Sequence, residues 1–386
     1  MIKVIAEEKL PIKMWLNELE ETALSQARNL ANLPFTFKHV ALMPDSHSGY
    51  GMPIGGVLAT QKVVIPNAVG VDIGCGMCAM RTTITEIEKE DLQKIVDRVK
   101  ELVPVGFNWH DEQQTGFMPT RPMTENAPIV NEQFEKGMYQ LGTLGGGNHF
   151  IEIQQGSDGN IWVMIHSGSR NIGHKVATHY NNLAKDLNKK WYSSVPKEWD
   201  LAYLPIDTKE AKLYMTEMKY CVEFAFANRK LMMERVKLAF QEILPVGFFD
   251  LINIAHNYAS WENHYNQNVI VHRKGATRAY LNEVGIIPGS MGTKSYIVEG
   301  LGNKESFQSC SHGAGRIMGR KQAQRELNLE NERNILNSQN IIHDVNGIEN
   351  LDEAPSAYKD IDKVMQNQID LVKIKTELKP MAVIKG

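Results

Sequence analysis

The chain has 386 residues, 42% apolar and 23% charged, with a formal net charge of -3. That length can bury a large core, and the balance excludes a disordered chain and a globally basic nucleic-acid coat, leaving room only for a local basic groove. Four unevenly spaced cysteines make no disulfide framework; with a charged N-terminal stretch and no apolar run near the roughly 20 residues a membrane helix needs, a reducing, cytoplasmic location is expected.

In chain order, residues 11–32 place Trp15, Leu16, Leu19, Ala23, Ala27 and Leu30 at helical spacing, which predicts an amphipathic helix. HVALMPDSHSGYGMPIGGVLAT reads as a strand running into a glycine-rich loop with Asp45 and His47, and residues 61–66 as a further β segment. In AVGVDIGCGMC, residues 69–73 suit a buried strand that turns at the glycines just beyond it. Residues 84–103 predict a helix with acidic residues in its first turn. Residues 104–128, with Trp109 and His110, predict a long irregular surface loop. TLGGGNHFIEI is a tight turn entering a strand, residues 161–165 a second strand leading into HSGSRNIG, and residues 171–191 a helix.

The longest helical pattern covers residues 207–244 and stops at Pro245. Its face of Met215, Met218, Phe224, Phe226, Met232 and Met233 reads as core packing, because methionine fills irregular apolar gaps. Short strands follow at 268–273, 283–288 and 295–299, then QSCSHGAGR as a turn into a helix, a helix over 359–375 and an extended end. Helices interrupt strands irregularly and not in βαβ units. The expected class is therefore α+β: one large domain over residues 1–386, mixed sheets surrounded by helices, with a metal centre in a central cleft.

The chemistry starts at Asp72 and Cys75, three residues apart and able to converge on one ion. Cys75 and Cys78 form a Cys-x-x-Cys pair, but Asp72 and the cysteine-poor remainder favour a mixed oxygen, sulfur and nitrogen site. His47, His149, His166, His256 and His312 each follow a β-like or apolar run and neighbour small residues or an amide. Singly, each is ordinarily a hydrogen-bonded core or surface residue; together with Asp72 and Cys75 they suffice for one or two divalent ions. His39, His110, His174, His179, His264, His272 and His343 lie in polar or helical surroundings and are expected on the surface or in loops.

GYGMPIGG, GGGN, PGSMGTKS and HGAGR can present backbone N–H groups to phosphate, with Arg170 and Arg316 nearby, though no P-loop or Rossmann fingerprint is present. His312 is a candidate nucleophile as well as a candidate ligand. The residues thus reach a metalloenzyme acting on a phosphate-rich substrate without choosing between hydrolysis and transfer.

GVDIGCGM, GGGNHFIE, HSGSR, PGSMGTKSY, SCSHGAGR, DEAPSAYKD and the terminal VIKG, in this order, resemble the RtcB family of RNA ligases from about Asp45 to Gly386. The resemblance implies joining of an RNA 3′-phosphate or 2′,3′-cyclic phosphate end to a 5′-hydroxyl end with GTP and two Mn²⁺ ions, in RNA repair or tRNA splicing, with archease as a possible partner. It implies that Cys75 bridges two ions, with His166 and His256 completing one site and Asp72 with His149 the other. It makes His312 the guanylylated residue and gives Asp45 a part in proton transfer.

For the guanine nucleotide the resemblance implies Asn148, His149, Phe150, Ile151 and Glu152, His256 and Asn257, Pro288, Gly289, Ser290, Met291 and Ser295. It adds His312, Gly313, Ala314 and Gly315, then Tyr358 and Lys385, with Glu152 accepting from the guanine edge. Two other classes stand beside this one. A metal-dependent phosphohydrolase or cyclic phosphodiesterase would need the ligands but not His312, and a non-catalytic RNA-end-binding protein would survive loss of Cys75.

Overall fold

The computed structural model describes residues 1–386. Two large sheets carry the architecture. The first orders six strands as Lys3–Ile5, Ile12–Met14, Thr36–His47, Ile54–Thr60, Gln267–Lys274 and Asn257–His264. The second orders seven as Ile252–Ala255, Gly76–Arg81, Ile161–Ser167, Phe150–Gly156, Val372–Lys385, Ser295–Gly300 and Val284–Ile287. Pairing is antiparallel throughout except between Ile12–Met14 and Thr36–His47. This is the expected α+β class.

Each sheet buries both faces. In the first, Ile12, Met14, Val40, Leu42 and Leu58 face the helix Glu21–Asn32, while Ala41, Met43, Val57 and Val271 face the other way. That second face meets Ile287, Tyr296 and Val298 of the second sheet, so one core cluster joins the two. The second sheet turns Cys78, Ile151, Val163 and Ile165 onto the helix Lys89–Leu102 and the end of the helix Lys209–Gln241. Fully buried side chains of this size contribute roughly 1.5–3 kcal/mol each. The long helix begins where Thr208 accepts from the Ala211 N–H, and it packs with Pro128–Gln140 and Arg170–Lys190 in a further cluster.

Several expected elements differ. Residues 11–32 are not one helix: Ile12 and Met14 alternate with Lys13 in a strand, and the helix is only Glu21–Asn32. The helix expected over 84–103 begins at Lys89. Residues 69–73 are not a strand. Gly70 and Gly74 have φ of 93° and 76°, which breaks an extended ladder, and the strand begins after them at Gly76. The tail is helical only over Ile361–Gln366; Val372–Lys385 is a fourteen-residue strand between two partners. The helix Pro128–Gln140 and the strand Asn257–His264 carried no recognised signal. His39, His264 and His272 are buried, against the surface expectation; His272 ties strands together by accepting from the Ile65 N–H at 3.0 Å and donating to the Leu58 carbonyl at 3.2 Å. No helix is long and apolar enough to cross a membrane.

Candidate metal centre and adjoining clefts

Four neighbouring strands of the second sheet deliver the candidate ligands at one end. Cys75 immediately precedes Gly76–Arg81, His149 precedes Phe150–Gly156, His166 lies near the end of Ile161–Ser167, and His256 follows Ile252–Ala255. Strand register places His166 across from Met77 and Phe150, and the His256 N–H donates to the Cys75 carbonyl at 2.8 Å. Asp72 arrives through a turn closed by the Cys75 N–H on the Asp72 carbonyl at 3.1 Å.

The donor atoms converge. Cys75 Sγ lies 3.5 Å from His149 Nε2 and 3.3 Å from His166 Nε2, and these three buried atoms fall within 4.8 Å of one another. Asp72 Oδ2 is 3.2 Å from His149 Nε2 on one side, and His256 Nε2 is 3.4 Å from His166 Nε2 on the other. His149 and His166 donate their Nδ1–H to the carbonyls of Leu144 at 3.0 Å and Asn148 at 2.9 Å. A carbonyl only accepts, so the Nε2 lone pairs face the thiol. Gly145, at φ 92°, permits this approach: a Cβ there would lie 2.1 Å from Arg170 Nη1 and 2.8 Å from His149 Nδ1.

Burial pushes the Cys75 thiol well up and the His166 and His256 rings well down. Burial also works against the Asp72 carboxylate, but the adjacent His149 side chain holds it at about 2. The His166 and His256 rings are therefore neutral beside one thiol and one carboxylate, and His256 Nδ1 is buried with no partner. Lone pairs aimed at one spot without donors to satisfy them fit a cation, which would also draw the thiol proton off. Cys78 is not part of this set; its Sγ lies 3.9 Å from the Arg229 carbonyl.

His312 follows the strand Ser309–Ser311, which pairs with Ala276–Arg278. Asp45, fully buried, comes from Thr36–His47. Its Oδ2 accepts from His312 Nδ1–H at 2.6 Å, the His312 backbone N–H at 3.0 Å and the Gly313 N–H at 3.3 Å. Nδ1 is thus committed, and Nε2 keeps the free lone pair. The His312 ring lies 4.9 Å from the His256 ring, beside the metal-ligand cluster. Gly315, at φ 74°, lets the turn close over Asp45, whose carbonyl oxygen a Cβ would approach to 2.2 Å.

A small cavity adjoins His312. Asn148, Phe150, Glu152, Pro288–Met291, Gly313, Tyr358 and Lys385, all of them residues the family resemblance implies for the nucleotide, line it. Strand pairing explains Lys385: it sits opposite Phe150 in register, with Nζ 5.6 Å from the ring centroid. Burial raises the Glu152 carboxyl to about 8 against the Lys385 charge and a 2.6 Å hydrogen bond from Gln154 Nε2. Ile151 alternates to the opposite face and packs with Val163 and Ile165, and Ala314 packs in the core between the sheets; neither side chain lines the cavity. Ser295 Oγ supports the wall by accepting from the Gly289 N–H at 3.1 Å.

A second, larger cleft shares Asn148, His312 and Tyr358 with the first and holds Asp72, Cys75, His256, Asn257 and Gly315. Asn257 binds the Asp72 carbonyl at 3.1 Å through Nδ2 and accepts from the Gly275 N–H at 2.7 Å. His47 lines this cleft too, with Nδ1 donating to the Asp45 carbonyl, away from the thiol cluster.

Three residues with charged side chains escaped the sequence reading. Glu353 accepts from the Tyr358 hydroxyl and from Arg316 Nη1 at 3.1 Å, and pairs with Arg320 at 3.2 Å and Lys385 at 3.7 Å. The DEAPSAYKD motif contained it, but an acid among exposed-looking residues gave no other signal. Lys274 is buried in the cleft wall and pulled down to about 8 by that burial; Arg320 lines the same cleft. Arg316 and Arg170 are largely engaged by the protein, the latter by Thr143 Oγ1 at 3.0 Å and the Gly106 carbonyl at 3.2 Å.

Fold and site together define an α+β protein with a buried thiol–imidazole cluster that could hold a metal ion, next to two polar clefts. Residues 26–386 match the family described as tRNA-splicing ligase RtcB. The chain is 39% identical to the RNA-splicing ligase RtcB of Escherichia coli K12 over 412 residues, covering 100% of this chain and 99% of the relative. It is 34% identical to the tRNA-splicing ligase RtcB of Nanoarchaeum equitans, covering 100% and 95%, and 32% identical to that of Thermococcus kodakarensis, covering 100% and 94%. The chain belongs to the RtcB family.

Proposed function

We propose that this protein is a GTP- and Mn²⁺-dependent RNA ligase that joins RNA 3′-phosphate or 2′,3′-cyclic phosphate ends to 5′-hydroxyl ends. The observation that carries the reading is His312: its Nδ1–H donates to Asp45, leaving Nε2 as a nucleophile between the cavity lined by Glu152 and Lys385 and the thiol–imidazole cluster. Nε2 attacks the α-phosphorus of GTP, the bond to the β-phosphate oxygen breaks, and pyrophosphate leaves. Asp45 steadies the ring as it becomes cationic. GMP then passes to the RNA 3′-phosphate, and the 5′-hydroxyl displaces it to form the new phosphodiester.

Glu152, at the cavity's buried end, accepts from the guanine N1–H and 2-amino group, while Lys385, Tyr358 and the Pro288–Met291 turn hold the rest of the nucleotide. Asp72 with His149 and His166 with His256 would hold two ions on either side of Cys75; bound there, they would polarise phosphoryl oxygens. The 2′,3′-cyclic phosphate is opened by hydrolysis first. RNA repair or tRNA splicing is the setting, with archease as a candidate partner.

Incubation with α-³²P-GTP and Mn²⁺, followed by a denaturing gel, tests this. Metal-dependent label on the wild type and none on His312→Ala is expected. A metal-loaded wild type that hydrolyses cyclic phosphate yet takes no label would move the reading to a phosphodiesterase.

A further inference from the structure

The helix Lys209–Gln241 reads in sequence as packing alone, yet two adjacent polar residues on it, Asn228 and Arg229, are fully buried against the metal-ligand strands. Arg229 Nη1 donates to the Gly74 carbonyl at 3.0 Å and to the Ser167 carbonyl at 2.8 Å, and its Nε donates to Asn253 Oδ1 at 2.8 Å. Gly74 directly precedes Cys75, Ser167 directly follows His166, and Asn253 lies three residues before His256. One guanidinium thus holds the three segments that carry the thiol and two of the imidazoles.

Asn228 does the same for His149. Its Oδ1 accepts from the Gly142 N–H at 2.7 Å and the Thr143 N–H at 3.2 Å, while Nδ2 donates to Ser167 Oγ at 3.1 Å. Ser167 Oγ donates onward to the Leu144 carbonyl at 2.7 Å, the oxygen that also accepts from His149 Nδ1–H. Strand pairing shows why a side chain is needed here. The ladder between Gly76–Arg81 and Ile161–Ser167 stops at Gly76 opposite Ser167, and beyond it the Gly74 carbonyl, in a buried residue, takes its donor from Arg229. Charge pairing does not explain the residue. Every hydrogen-bond partner of Arg229 is a neutral oxygen and Nη2 has none, whereas Arg273, also fully buried, meets the Glu262 carboxylate. A buried cation without a carboxylate costs free energy. What the guanidinium supplies is a planar fork with fixed donor directions, which sets the distances between the oxygens it holds.

We propose that Arg229 is a positioning residue of the metal centre, holding the strand ends that carry Cys75, His166 and His256 at the spacing that makes their donor atoms converge. This role rests on the metal reading above and deepens it: the ligands come from one sheet, but the spacing between them is set from the long helix. A guanidinium charge by itself repels a cation, so a gain in metal affinity from Arg229 is a gain from geometry. Lysine separates the two effects, because it keeps the charge and loses the fork.

The test titrates the full, metal-stripped chain with Mn²⁺, reading free ion by electron paramagnetic resonance, and separately with Co²⁺, whose thiolate charge-transfer absorption reports the geometry at Cys75. Arg229→Lys should bind Mn²⁺ about 10- to 100-fold more weakly and give a weaker charge-transfer band at saturating Co²⁺. Asn253→Ala, at a half-buried position, removes the Nε partner and leaves the two carbonyl bonds in place; it should weaken Mn²⁺ binding in the same direction, by less. Arg273→Lys, at a buried arginine that touches none of these segments, should leave the affinity and the band of the folded protein unchanged, so a general loss of packing is read apart. Wild-type affinity and band in Arg229→Lys would overturn the proposal and make Arg229 a packing residue. If Arg229→Lys does not fold, Asn253→Ala decides, and unchanged Mn²⁺ affinity there overturns the proposal equally. A wild type that binds neither ion would overturn the metal reading itself.

Discussion

Two clusters of buried ionisable side chains stand in this molecule, and they are finished in opposite ways. Around Glu262, both carboxylate oxygens have partners. Its carboxylate accepts from Arg273 at 2.5 and 3.0 Å, His264 Nε2 at 2.9 Å and Ser260 Oγ at 2.7 Å. Arg273 spends its remaining donors on Ser309 Oγ and the Phe307 carbonyl. Burial favours the neutral acid, but the Arg273 charge and these hydrogen bonds hold Glu262 well below the usual carboxylate range. Around Cys75 the thiol and the His166 and His256 rings are kept neutral, their lone pairs face one another, and His256 Nδ1 has no partner. Burial of polar groups is common to both, so it does not mark a functional site. Unsatisfied acceptors aimed at one point do.

The contrast can be broken from either side, beginning with the largest expected effect. Asp45→Asn keeps the size of the side chain but removes the charge that steadies His312 as it turns cationic. Single-turnover labelling from GTP should slow by about a thousandfold, with thermal stability nearly unchanged. Arg273→Ala should do the reverse. Leaving Glu262 charged, buried and without its main partner should cost about 3–5 kcal/mol in urea unfolding, while Mn²⁺ affinity of the folded fraction holds. Equal stability losses in the two variants would show that both clusters are structural.

Metal addition separates them further. Mn²⁺ at a hundredfold excess over its dissociation constant should stabilise the wild type by roughly 2.7 kcal/mol. Cys75→Ala should lose that increment, and it should persist in Glu262→Gln however far that variant's own melting temperature falls. An increment that survives in Cys75→Ala would place the ion elsewhere.

The candidate site was more legible than the fold that supports it. Asp72, Cys75 and the small-flanked histidines announce themselves locally, because a ligand needs a particular residue type and room around it. His39, His264 and His272 look no different in sequence from exposed histidines; what buries them is strand pairing with residues far away, such as Ile65 and Leu58 around His272. The same limit explains the tail. Residues 372–375 continue the helical reading in sequence, and pairing with Val298–Gly300 is what makes them extended; the rest of Val372–Lys385 is the expected extended end. Ile12–Met14 is too short to show its alternation against the helical spacing that follows. Lys385 was placed by family likeness alone; its register opposite Phe150 supplies the physical reason.

Glu152 offers the finest division between a finished and an unfinished group, because it is buried in the cavity and held only by Gln154 and the charge of Lys385. Its carboxyl titrates at about 8 where the unfolded chain would titrate near 4.5. Between those values the unfolded state releases the proton and the folded state keeps it, so the nucleotide-free protein should lose stability as pH rises, by at most about 1.4 kcal/mol per unit. Guanine reverses the preference. Its N1–H and 2-amino group are donors, and a carboxylate is the all-acceptor partner for them. Binding of GTP at pH 7 should therefore release close to one proton, and affinity should rise by up to about tenfold per pH unit until pH 8, then level off. Calorimetry in buffers of different ionisation enthalpy reads the proton directly. Glu152→Gln should abolish both the release and the slope and narrow the preference for GTP over ATP. A wild type that binds GTP with no proton release would mean that the acid stays protonated against the base, and that guanine is selected by something other than this carboxylate.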